Sequence, residues 1–368
     1  MNNDKLGFYL VGWKKFHNKI LALMEHKKTG YEIFWIFNDK IFENINWSLP
    51  IEEDLFSIYK RRAQQLRDNY NYLILYYSGG ADSAAILHTF IHNNIFLDEV
   101  VMQFPQPVEK KFNDVDTSFG NFYSEIKYSA IPYLKKLESK INSKTKIRYE
   151  DLSNRVDILT DDYWTDSIQL NTNFTISGVL RQLVNEQSNY NLRLGSTNKK
   201  IANIYGIDKP LVYFDGTDYY CFFRDVDAYH FCVQPHSNYF TEFFYWTPDM
   251  PELVVKQAQE VKKNCQQDAW ARYMASQILS KNLKEFRPIL HPIIYPKDLE
   301  IGLQVETNNA LSIIRPMDQW FWQTTDKKIQ NNFLHGINKF QPLIDTKHAV
   351  NGNIAYGVAA HKSKFYKL

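Results

Sequence analysis

Apolar residues fall into short runs along this chain, and the spacing inside each run predicts its element. Tyr72 to Tyr77, YLILYY, is a continuous apolar and aromatic run, as expected of a buried strand. Ala84, Ala85, Leu87 and Ile91 follow and predict a helix that is apolar on most sides, ended by Asn93-Asn94. Between them lies Ser78-Gly79-Gly80-Ala81-Asp82-Ser83, with Asp82 and Ser83 where a helix N-cap is expected. Asp98–Phe104 reads as a second strand. Strand, helix and strand at this spacing predict a βαβ unit and a parallel sheet. Lys146–Leu152 alternates and predicts a third strand.

The flanking segments are read the same way. GFYLVGW and EIFWIFNDKIF predict one or two strands around a helix near Lys14–Lys27, with Asn38-Asp39 as a hairpin turn. Pro50 marks a boundary. Leu55, Phe56, Tyr59, Ala63 and Leu66 recur at helical spacing, so Glu52–Asn69 should be a helix leading into the first sheet strand. Ser129–Ile141 is expected to be a helix capped by Ser129, after a loop over 105–120. A long loop over 153–173 should precede a helix at Phe174–Val184. Arg193–Lys200 reads as a polar loop, and Pro210–Asp225 as a hairpin turning at Asp-Gly-Thr. Pro251–Asn264 is a helix pattern with Pro in the first turn and lysines late. Ala269–Lys284 and Asp326–Ile337 are further helix patterns, and the tail from 346 ends basic. The expected division is an N-terminal α/β segment (1–50), an α/β nucleotide-binding domain (51–234) and a mainly helical C-terminal region (235–368) that selects substrate or partner.

Composition narrows the class. With 368 residues, 44% hydrophobic and 23% charged, the chain suits a globular protein of one large domain or two. A net charge of +2 gives no global attraction for nucleic acid, although a local basic patch remains open. Three cysteines, Cys221, Cys232 and Cys265, make neither a CxxC pair nor a disulfide scaffold. No apolar run approaches the ~20 residues needed to span a bilayer, and the first residues lack a signal-peptide layout. The expectation is a cytoplasmic protein with no membrane partner, including host cytoplasm if the source is viral.

The chemistry concentrates at residues 78–83. A glycine turn feeding a helix N-terminus presents N–H groups to an anion, and Ser78 and Ser83 add hydroxyls. Asp82 is repulsive beside phosphates unless a cation lies between, which points to Mg²⁺. The stretch resembles the SGGxDS pyrophosphate loop of the N-type ATP pyrophosphatases, the PP-loop superfamily, matching at Ser78, Gly79, Gly80, Asp82 and Ser83 with Ala81 at the free position. The resemblance implies a Rossmann-like parallel-sheet domain of the HUP type. It implies ATP and Mg²⁺ as cofactors, the β- and γ-phosphates on this loop, and adenine against main chain near Met102 or Gln103. It also implies attack of a substrate oxygen on the α-phosphorus, then displacement of AMP by a nitrogen or sulfur nucleophile. A phosphate-binding lysine is expected from beyond the third strand: Lys199, Lys200 or Lys209, with Lys209 favoured and Arg181 as second choice.

Other candidates have blander readings beside them. Asp225 and Asp227 suit a second metal or a turn; Asp161, Asp162 and Asp166 suit an amine-bearing substrate or solvent. His88 and His92 have metal-ligand spacing without a third ligand nearby. The cysteines lack an identifiable activating neighbour.

Among PP-loop relatives, the cysteine count disfavours the sulfur-inserting, reductase and zinc-bearing branches. PELVVKQAQ, from Pro251, is similar to a helix of the asparagine synthetase synthase domain. Position 2 is Asn, not the cysteine of a glutaminase domain, and about seventy residues before the loop are too few for one. The expectation is an AMP-forming ligase acting on a small molecule, with nitrogen from free ammonia, an amine or a separate glutaminase. The alternatives are nucleobase modification of tRNA or DNA by the same adenylation chemistry, and a non-catalytic ATP-binding sensor or defence module.

Overall fold

A computed structural model describes residues 3–17, 19–104, 126–151, 173–174, 193–207, 209–225, 238–279, 292–297, 299, 326–340, 346–350, 353–357 and 361–368. The chain opens with β1 (Phe8–Val11), β2 (Lys14–Phe16), α1 (Lys19–Thr29) and β3 (Ile33–Ile36), the strands forming an antiparallel sheet of order β2-β1-β3. Alternation along β1 and β3 buries Tyr9, Val11 and Trp35. The expected hairpin at Asn38-Asp39 is instead a strand-to-helix turn. Asn38 is left-handed (φ 54°), and α2 (Asp39–Phe42) starts where the Asp39 carboxylate accepts from the Phe37 amide at 3.0 Å.

Next come α3 (Leu55–Asn69), capped by Asp54, then β4 (Tyr72–Tyr76), α4 (Ala81–His92) and β5 (Glu99–Phe104). They are followed by α5 (Ile131–Leu137), β6 (Lys146–Asp151), β7 (Asn173–Phe174) and β8 (Ile201–Tyr205). The expected hairpin is β9 (Leu211–Phe214) and β10 (Tyr219–Phe222), and β11 (Tyr239–Phe243) comes after it. The chain continues through α6 (Pro251–Gln267), α7 (Ala269–Gln277), α8 (Lys327–Phe340), β12 (Thr346–Val350), β13 (Asn353–Gly357) and β14 (Tyr366–Lys367).

The main sheet is parallel throughout, in the order β11-β8-β4-β5-β6. Leaving β4, the chain steps outward through β5 and β6, then returns to lay β8 and β11 on the other side. This is the doubly wound order, and the strand sequence reverses between β4 and β8. Two strands, β8 and β11, were not anticipated by the hydrophobic pattern. The expected boundary at 234 falls between them, so it cuts the sheet, and among the described residues the region after it holds four strands as well as helices.

Leu73 and Leu75 of β4 pack in one core with Leu66 of α3 and with Ile86 and Leu87 of α4. That core continues through Phe37, Phe42, Phe223 and Trp246 to Tyr366, joining the N-terminal sheet to the last strand. On the other face of the sheet, Tyr72, Ile74, Val101, Ile201 and Tyr239 form a smaller cluster. Two buried carboxylates tie distant segments together. Asp225 takes the Tyr9 hydroxyl at 2.7 Å, the Lys19 ammonium at 2.8 Å and the His361 amide at 2.8 Å. Glu242 takes Arg62 at 2.7 Å and Lys5 at 3.0 Å, with the Tyr70 hydroxyl at 2.5 Å. Among the described residues no helix is long and apolar enough to cross a membrane. The expected loops at 105–120 and 153–172, and the Phe174–Val184 helix beyond Phe174 itself, lie outside the described residues.

Candidate active site

The turn from β4 into α4 is built from its own side chains. Gly79 has φ 86°, which a side chain would disfavour. The expected caps do not cap. Gly80 holds the N-cap position, and Asp82 and Ser83 lie inside the first turn of α4. The reason is a closed local network. The Ser83 hydroxyl donates to the Gly80 carbonyl at 3.1 Å and accepts from the Ser78 amide at 3.2 Å, while the Gly80 amide donates to the Ser78 hydroxyl at 3.2 Å. Ser129, expected as a helix cap, instead donates to the Gly79 carbonyl at 2.6 Å and braces the turn from outside.

Lys209 reaches this turn from the segment after β8. Its ammonium pairs with Asp82 Oδ1, and its side chain is 6% exposed against 31% for Asp82. The approach is close because residue 206 is glycine: a Cβ there would sit 2.9 Å from Ile86 and 3.2 Å from the Asp82 carbonyl carbon. The glycine turn follows β4 and Lys209 follows β8, so they converge at the carboxyl ends of the two strands between which the order reverses, the usual crevice for ligands in such sheets.

Two residues without a signal in the sequence pattern complete the cluster. The Tyr245 hydroxyl donates to the Asp82 carbonyl at 2.8 Å, and the Tyr295 hydroxyl donates to Asp82 Oδ1. The Lys209 ammonium lies 4.9 Å from the Tyr245 ring centre and 5.9 Å from that of Tyr295, within cation–π range. Tyr59 is buried next to Tyr245, with ring centres 5.7 Å apart. Burial first, and the Asp82 carboxylate after it, push the hydroxyls of Tyr59, Tyr245 and Tyr295 well up, so all three remain donors.

The remaining expected residues, Met102 and Gln103 apart, fall elsewhere. Lys199 is not brought to the turn: its ammonium lies over the Tyr72 ring at 4.6 Å, at the first residue of β4. At the usual strand rise that is roughly 20 Å from Ser78. Lys200 lies over Tyr70 and Phe240 at the same end. Met102 and Gln103 are in the carboxyl half of β5, Met102 buried in the main core and Gln103 bonded to Glu150. Asp225 belongs to the buried Lys19 network, and the His88 and His92 rings stack on each other at 3.6 Å. Cys221 and Cys265 are buried free thiols, and burial pushes Cys265 up to about 12. Arg181, Asp161, Asp162, Asp166, Asp227 and Cys232 lie outside the described residues.

Among the described residues no group of three or more His, Cys, Asp or Glu side chains could hold a metal ion. The turn offers the single carboxylate of Asp82. That donor set fits Mg²⁺, which binds through one or two carboxylates together with phosphate oxygens and retained waters. No family model matches the chain, and no curated protein matches it.

Proposed function

We propose that this chain is an ATP-dependent, AMP-forming ligase of the PP-loop type, with a HUP-type parallel sheet, acting on a small molecule. The observation that carries the reading is the convergence of Ser78–Ser83 and Lys209 at the reversal between β4 and β8. The amides of the first turn of α4 and the Ser78 and Ser83 hydroxyls suit phosphate oxygens. Lys209 suits the charge that develops on the phosphates during in-line attack at the α-phosphorus. Asp82 would hold Mg²⁺, which screens phosphate charge when bound. The carboxyl end of β5, at Met102 and Gln103, is the proposed rest for adenine. A carboxylate or carbonyl oxygen of the acceptor attacks the α-phosphorus, pyrophosphate leaves, and a nitrogen nucleophile then displaces AMP. The nitrogen comes from ammonia, an amine or a separate glutaminase.

The test is product analysis with α-labelled ATP and Mg²⁺ across amino acids, ammonia and nucleic acids. AMP and pyrophosphate are expected with one acceptor class. ADP and phosphate would contradict the reading.

A further inference from the structure

Asp82 and Lys209 are both assigned to the phosphate site, yet here they are bonded to each other. The contact is built in rather than incidental. Lys209 is almost fully buried and lies within reach of two aromatic rings, so its ammonium is held rather than loosely placed. Tyr295 donates to the same oxygen, Asp82 Oδ1, that Lys209 takes. Its neighbour Ile294 is buried in the main core, which anchors the segment that presents the hydroxyl. Tyr245 fixes the Asp82 main chain through its carbonyl. The Tyr59 hydroxyl is buried with no hydrogen-bond partner, beside Tyr245 and within the influence of the Asp82 charge.

We propose that Tyr295 is a positioning residue that holds Asp82 against Lys209, so that the carboxylate competes with ATP phosphates for the ammonium and ATP affinity depends on a divalent cation. The inference rests on the phosphate-site reading above. Its physical basis is that one ammonium cannot serve Asp82 and a phosphate equally. A cation on Asp82 removes the competition; without one, the phosphates must displace a charge-assisted contact and also face the carboxylate.

The experiment measures binding of α,β-methylene-ATP to the full chain by calorimetry, in EDTA and in Mg²⁺, with melting temperatures recorded in parallel. Wild type should bind much more tightly in Mg²⁺. Asp82→Asn should bind roughly tenfold more tightly than wild type in EDTA and lose the gain from Mg²⁺. Tyr295→Phe keeps the ring and removes only the hydroxyl. It should shift EDTA binding in the same direction by a smaller factor, narrowing the ratio between the two conditions with an unchanged melting temperature. A purely structural role for the hydroxyl would move the melting temperature and leave that ratio alone. An Asp82→Asn protein that binds no better in EDTA, or a Tyr295→Phe protein that keeps the wild-type ratio, overturns the inference but leaves the phosphate site standing. Wild type that binds in neither condition overturns the phosphate site itself, and the inference with it.

Discussion

Glu242 is the perturbation whose size follows most directly from the structure. It sits on β11 with 5% of its side chain exposed, held by Arg62 from α3, Lys5 from the N-terminus and the Tyr70 hydroxyl. Burial alone would raise its carboxyl. Arg62 and Lys5 outweigh burial and hold it down at about 2, against an ordinary 4.5. At about 1.4 kcal/mol per pH unit, the difference corresponds to about 3 kcal/mol of stability at neutral pH. Because the folded value lies below the unfolded one, this stability is complete above about 4.5 and disappears as pH falls toward 2. Glu242→Gln leaves Arg62 buried beside a neutral group and should lose about 3–5 kcal/mol at pH 7. The assay is urea unfolding of wild type and variant at a series of pH values between 7 and 2. The gap between them should be flat down to pH 5 and then close. A gap that stays constant to pH 2.5, or one below about 1 kcal/mol at pH 7, refutes the account.

Other outcomes test the site and its supports. Lys209→Met should lower AMP formation by about 10²–10³-fold, measured with α-labelled ATP once an acceptor is found. Lys199→Ala should leave ATP binding unchanged by calorimetry, since its ammonium lies at the far end of β4. Gly206→Ala should cost about 1–3 kcal/mol of stability in urea unfolding and weaken ATP binding, because the new methyl meets Ile86 and the Asp82 backbone. Asp225→Asn strands the buried Lys19 ammonium and should cost about 3–5 kcal/mol by the same unfolding assay.

The glycine turn was legible because its residues are contiguous, between an apolar run and a helix pattern. Lys209 was legible only as one of three lysines. Choosing among them needs to know which end of a strand each one faces, and β8 itself was missed. IANIY is short and carries a buried Asn203 at its centre, which breaks the apolar run. β11 was missed because TEFF follows an aromatic pattern with no alternation and lies between prolines. Tyr245 and Tyr295 could not be distinguished from the other tyrosines, since what matters is the direction of a hydroxyl toward a residue far away in the chain.

The strand order also has a consequence for how the chain is made. β4, which leads into the glycine turn, is the first strand of its sheet to leave the ribosome, and β5 can pair with one of its edges soon afterwards. Its other edge has no native partner until residues 201–205 are translated. At about 5–20 residues per second that delay is on the order of ten seconds, during which an apolar edge is open to improper pairing. A nascent chain halted before residue 201 should therefore be aggregation-prone and lack the proposed phosphate site. Extending the chain through IANIY should improve solubility, and extending it past Lys209 should add the cation that the proposed phosphate site needs.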